Sequence, residues 1–198
     1  MARQYLYKLT EQDRTTWNHS TLWGEGVTHE VTKSGTTLCS SEVIHAYVDK
    51  NLALLMNPVH SDIKDPVLFL AFGEVVKQDS FKVGVKKLTT QKEIKLPLWY
   101  TGRNRLNVIV RFAQLCAEAT AAAAAKGAAR SATWAAAWAT AAAKWARGAK
   151  WAAAEEAETA KWATCAAWAA AEAAEAIDFS ALAAQAIVEA ASGKVSYY

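Results

Sequence analysis

The chain reads as an α+β protein: a small mixed-sheet domain over residues 1–102, an Ala/Trp-rich helical region over 103–193, and a tail at 194–198. Three observations predict this. All three prolines, Pro58, Pro66 and Pro97, lie before residue 100. Alanine fills 36 of the 70 positions from 121 to 190, and six of the nine tryptophans fall between 134 and 168. Alanine is the best helix former and proline the worst, so the two halves follow different local rules.

In the first half, residues 5–9 (Tyr-Leu-Tyr-Lys-Leu) form a strand candidate. Gly24, Gly26 and Gly35 punctuate the following stretch and leave residues 27–31 as a second strand. Asp49 is placed to cap a short helix over residues 51–56, which Pro58 is expected to stop. Residues 67–72 are apolar without alternation, as in a central strand buried on both faces. Residues 81–85 and 93–96 supply two further strand pieces.

From Arg103 onward the pattern is helical. Leu106, Ile109, Val110, Ala113 and Ala117 form an apolar stripe at helical spacing. Strong helix formers run on to about Ala191, broken by Gly127 and Gly148, and Gly193 fits a C-cap. Within this region a 17-residue repeat covers 130–146, 147–163 and 164–180. Trp134, Trp151 and Trp168 share one repeat position, and Trp145, Trp162 and Phe179 share another. On one straight helix, successive copies would be rotated by roughly 100°, so the aromatic columns would spiral. One helix per repeat, stacked as a bundle or short solenoid, keeps each column on a face. A single long Ala-rich helix is the competing arrangement.

Charge is distributed unevenly along the helical region. From 103 to 150 eight basic residues face Glu118 alone, a net +7; from 151 to 178 six acids face Lys161 alone, a net −5. The overall +3 conceals this polarity. Lys126, Arg130, Lys144, Trp145, Arg147, Lys150 and Trp151 together suit a partner or nucleic acid, the tryptophans stacking and the cations meeting phosphates. The alternative is that the opposite charges pair between adjacent helices or subunits. Glu155, Glu158 and Trp162 share one helical side with Trp151 and form a second candidate face.

Catalytic signals are weak. No glycine-rich dinucleotide motif, phosphate-loop lysine motif, zinc-protease helix or nucleophile elbow is present. His45 and His60, with Asp62 nearby, do not have metal-ligand spacing. Cys39, six residues before His45, raises a thiol–imidazole pair that lacks an orienting third group. No catalytic residue, metal or cofactor is therefore expected. Cys39, Cys116 and Cys165 are odd in number and widely spaced, which fits buried free thiols in a reducing compartment. No secretory signal or membrane span is read, so a cytoplasmic location is expected.

Residues 38–60, the strand at 67–72 and the segment 81–94 resemble a family of phage and bacterial proteins that also end in Ala-rich helical tails. The resemblance covers roughly residues 1–100. It implies a phage-type accessory protein, a class in which inhibitors of host defence complexes, CRISPR systems among them, are well represented. More remotely, the order of elements is similar to ADP-ribosyltransferase-like folds. The Arg or His, Ser-Thr-Ser and Tyr of those enzymes find no counterparts, and Glu93 is the one carboxylate near the corresponding late strand.

These readings lead to the expectation of a non-enzymatic, phage-type accessory protein. It would bind a host protein complex, sequester a nucleotide signal or self-associate through the repeat. A nucleic-acid-binding module and an ADP-ribosyltransferase-like enzyme are the alternatives.

Overall fold

The computed structural model describes residues 4–16, 19–38, 40–102, 104–125 and 177–193. The chain divides into two compact units, one comprising Met1–Asn57 and Ser61–Leu96 and the other Pro58–His60 and Pro97–Tyr198. Both helices and antiparallel sheets are present, as an α+β protein requires. No helix among the described residues is long and apolar enough to cross a membrane.

The N-terminal unit is built on a five-stranded sheet of β1 (Gln4–Thr10), β4 (Thr28–Glu30), β5 (Ile44–Ala46), β6 (Val67–Gln78) and β7 (Val83–Ile94). A separate hairpin joins β2 (Thr15–Thr16) to β3 (Thr21–Leu22). Every pairing between these strands is antiparallel, so the sheet is not the mixed one expected from sequence. The two longest strands, β6 and β7, are separated by only four residues and form a hairpin, a link too short for a parallel pair.

β6 lies between β1 and β7, and the far edge of β7 carries β5 and β4 end to end. Beyond β5 the chain turns back to β1. Tyr7 N–H donates to Tyr47 O at 2.7 Å, and Tyr47 N–H donates to Tyr7 O at 2.9 Å. The hydrogen-bonded path β1–β6–β7–β5 thus returns to β1. Register shifts at Leu70/Ala71, Gly73/Val75 and Val75/Lys77 bend the β6–β7 ribbon, as bulges do, and allow the closure. Leu6, Trp23, Ala46, Ala71, Val83, Val85 and Leu88 form the enclosed core. Burial of their apolar surface, at about 25 cal/mol per Å², is the main favourable contribution.

Two of the strand pieces expected from sequence, 81–85 and 93–96, belong to one continuous strand, β7. The polar run between them pairs with β4 on one edge and β6 on the other, so tertiary pairing overrides its weak local pattern. Asp49 does cap helix α1 (Lys50–His60): its Oδ1 accepts from Asn51 N at 2.7 Å and Leu52 N at 2.9 Å. The helix does not stop at Pro58 but runs on to His60. Proline has no N–H, so its place in the last turn costs the helix one bond to the carbonyl four residues back. Here Asn57 O accepts from both Ser61 N and Asp62 N, and the buried Asn57 side chain bonds both backbone groups of Ile63.

In the second unit, α2 (Leu98–Thr101) precedes α3 (Arg105–Ala125), which packs on α4 (Phe179–Ala191). Leu106, Ile109, Val110 and Ala113 of the expected stripe are buried, and so are Val108, Phe112, Leu115 and Cys116, so α3 is covered around most of its circumference. Phe179, Ala183, Ala186 and Ala190 form the buried face of α4. Arg111 Nε donates to Glu189 Oε2 at 2.5 Å, tying α3 to α4, and Nη1 donates to Glu118 Oε1 at 3.0 Å within α3. The free thiol of Cys116 is buried, as expected.

The repeat lies outside the described residues except for its last four positions. Those positions correct one expectation. The third copy, 164–180, is expected as one helix, yet Asp178 inside it is in extended conformation and accepts from Ala181 N at 3.0 Å as the N-cap of α4. A short carboxylate that satisfies a free helical N–H favours starting a helix over continuing one. Gly193, with φ of 69°, follows the helix end in the left-handed conformation expected of a C-cap glycine.

Candidate ligand-binding site

Strand β1 alternates, and Lys8 falls in phase with Leu6 and Thr10, both fully buried. A lysine at an inward position is unusual, since burying an ammonium is costly unless it is paired. Lys8 Nζ donates to the main-chain oxygen of His45 at 3.0 Å and lies 5.1 Å from the centre of the Trp23 ring. Among the described residues no carboxylate lies within ion-pair distance of it. Desolvation pushes its pKa down to about 8.

Lys8 lines a cavity of about 310 Å³ in the N-terminal unit. Small-molecule sites span roughly 300–1,000 Å³, so this cavity suits a compact ligand. Trp23 and His29 form an aromatic wall, their rings edge to face with centroids 4.5 Å apart. Trp23 Nε1 donates to Thr16 Oγ1 at 2.8 Å, which fixes the indole. His29 Nε2 lies 2.7 Å from Leu22 O. A carbonyl only accepts, so that nitrogen carries a proton and donates it.

His45 stands on β5 opposite Gly84 of β7. Burial, reinforced by the positive charges of Lys82 and Lys8, pushes its pKa down to about 4, so the imidazole is neutral at pH 7. Thr21, Ser40 and Ser41 add hydroxyls to the lining. Lys33 Nζ donates to Ser41 Oγ at 2.5 Å. The segment carrying these serines is held by Lys86, whose ammonium donates to the carbonyls of Lys33, Gly35 and Glu42. Glu30, the carboxylate in the lining, pairs with Lys87 at 2.9 Å. In the lining, Lys8 therefore carries a positive charge without a carboxylate partner, the Glu30 carboxylate is already paired, and hydroxyl donors lie close by. This arrangement favours a small anion.

A second polar cluster lies on the β2–β3 hairpin. Asp13 Oδ1 accepts from Thr15 N at 2.9 Å and from Thr15 Oγ1 at 2.6 Å, while His19 Nδ1 is 2.8 Å from Asp13 Oδ2 and 2.9 Å from Thr15 Oγ1. The residue types match a nucleophile–base–acid triad, but the geometry does not. A triad needs the two imidazole nitrogens to serve different partners, and here one nitrogen faces both. The cluster is a turn lock, and Thr15 holds the Asp13 carboxyl below the usual carboxylate range.

The residues singled out in the repeat, Lys126, Arg130, Lys144, Trp145, Arg147, Lys150, Trp151, Glu155, Glu158 and Trp162, lie outside the described residues, as do Cys39 and Cys165. No group of three His, Cys, Asp or Glu side chains among the described residues could hold a metal ion. Glu93 is engaged in an ion pair with Arg14 at 2.9 Å. Of the residues that stand out for chemistry in the sequence, His45 lines the cavity, whereas Lys8, Trp23 and His29 belong to no motif. The phase of Lys8 with Leu6 and Thr10 is the signal that marks it in the sequence. No family model, curated protein or solved structure matches the chain.

Proposed function

We propose that the protein acts by binding rather than by catalysis, and that its N-terminal unit sequesters a small phosphorylated ligand of the nucleotide or sugar-phosphate class. The observation carrying this reading is the inward-facing Lys8, without a carboxylate partner among the described residues, on the wall of a compact cavity. An anion entering there would supply the missing counter-charge, and the hydroxyls of Thr21, Ser40 and Ser41 suit phosphate oxygens. The neutral His45 and the aromatic wall suit the uncharged part of such a ligand. In the phage-type setting expected from the sequence, withholding such a molecule from a host defence complex is the concrete role. Calorimetric titration with mononucleotides, cyclic nucleotides and sugar phosphates tests the reading. Saturable binding that is lost in Lys8→Met supports it, and no heat with any of them at millimolar concentration refutes it.

A second reading concerns the helical region. Helices α3 and α4 pack together although 53 residues separate Ala125 from Phe179. The chain thus leaves and re-enters one helix pair around the repeat, which favours the repeat as an inserted arm for self-association or for a host protein. Light scattering of the wild type and of Arg147→Glu/Lys150→Glu tests this. A change in mass or in complex formation supports it, and identical behaviour refutes it.

A further inference from the structure

We propose that Lys8 captures the carbonyl group of an anionic aldehyde, such as the open form of a sugar phosphate, as an imine within the cavity. The inference rests on the reading of this cavity as a ligand site and adds a covalent step to it. Four observations converge. The amine projects inward from β1 at a position flanked by fully buried Leu6 and Thr10. It lines an open cavity and is held by one carbonyl and one ring face. No described carboxylate stabilises its charged form. His45, whose main-chain oxygen accepts from the amine, carries a neutral imidazole and so offers it no counter-charge.

Chemically, an imine removes the charge that the site holds at a cost. The amine lone pair attacks the carbonyl carbon to form a C–N bond, and the C=O π electrons move to oxygen. That oxygen takes one proton from nitrogen, giving a carbinolamine. Loss of the second N–H proton with the hydroxyl then breaks the C–O bond, leaving the C=N bond and one water. No oxidant or reductant is needed. With its pKa near 8, about a tenth of Lys8 is uncharged at pH 7, against well under a thousandth of an ordinary lysine. The ligand's anionic group would meet the hydroxyls of Thr21, Ser40 and Ser41, with the Lys33 ammonium behind Ser41.

The test uses the full chain and two probes of nearly equal shape: pyridoxal 5′-phosphate, which can condense, and pyridoxine 5′-phosphate, which cannot. Equimolar pyridoxal 5′-phosphate at pH 7 is followed by borohydride and peptide mapping. We expect the fixed adduct on Lys8, favoured about tenfold or more over any other lysine, and competed away by pyridoxine 5′-phosphate. Lys8→Arg should lose the adduct yet still bind pyridoxine 5′-phosphate. Binding of pyridoxine 5′-phosphate without an adduct on Lys8 overturns the imine and leaves the ligand site standing. Failure of both probes to bind, with labelling spread over surface lysines, overturns both. Because the site of labelling is read in the wild-type protein, the test does not depend on the variant folding.

Discussion

Gly84 and Val43 approach so closely that a Cβ on Gly84 would lie 2.8 Å from Val43 Cγ2. Gly84 also pairs with His45 across β5 and β7, so the same contact sets the depth at which His45 sits in the cavity wall. Gly84→Ala should therefore lower stability by about 1–3 kcal/mol through overpacking. Adding Val43→Ala should restore part of the loss, because the two positions share one space. Urea denaturation of the two single variants and the double variant checks this, and strict additivity would contradict it.

Lys8 makes stability depend on pH in the alkaline range. Its folded-state pKa is about 8, whereas the unfolded chain keeps the ordinary value of ~10.4. Between these values the unfolded state binds more protons, so stability rises with pH across the window and the full penalty applies below it. The charged and titratable groups that line the cavity with it are His45 from β5 and His29 and Glu30 from β4, and Lys82 and Asp79 act on His45 from the β6–β7 turn. The gain should be on the order of 1–3 kcal/mol. Burial of the Cys116 thiol acts in the opposite direction over the same window, so the contribution of Lys8 is read as a difference. Lys8→Met should be more stable than the wild type at pH 7, and the gap should close as the pH rises past about 8, as measured by denaturation at a series of pH values.

His45 acts in a separate, acidic window. Its pKa falls from the ordinary 6.5 to about 4 on folding, through burial first and the neighbouring cations second. The unfolded state again binds more protons, so stability should fall as the pH drops from about 6.5 to about 4. His45→Gln should flatten that part of the profile. NMR titration of the imidazole should show it still neutral at pH 5.5.

Arg111 joins α3 to α4 through Glu189, and the arginine side chain is only 17% exposed. Arg111→Gln removes the charged partner of the partly buried Glu189, whose other carboxylate oxygen accepts from the neutral Gln185 Nε2 at 2.8 Å, at a cost of about 1–3 kcal/mol. Glu189→Gln in the same background should cost less than the sum of the two single changes. A double-mutant cycle by thermal denaturation measures this coupling.

Burial pushes the thiol of Cys116 far above the ordinary range. It should stay unmodified by a thiol-specific disulfide reagent at pH 8 in the native protein and react on unfolding. Mass mapping of the labelled peptides separates it from the other two cysteines.

Several parts of this fold were legible because their chemistry is local. Asp49 sits directly before a run of helix formers, Gly193 directly after one, and residues 67–72 form an unmixed apolar stretch. β5 was not legible, since Ile44–Ala46 is three residues long and earns its place only through its pairing with Val83, Gly84 and Val85. The middle of β7 was hidden for a related reason: its lysines and threonines face partners contributed from elsewhere in the chain. The cavity was obscured because it draws on β1, the β2–β3 hairpin, β4 and the approach to β5, which only the folded sheet brings together. His45 stood out as a histidine, whereas Lys8 reads as an ordinary surface lysine until the strand's phase is imposed.

The two hydrogen bonds between Tyr7 and Tyr47 lie beside this cavity, next to Lys8 on one strand and two residues beyond His45 on the other. The wall of the site is thus also the seam of the sheet. Occupancy of the cavity should therefore be readable at a distance from the ligand itself, as slower hydrogen exchange of the two tyrosine amides that close the sheet.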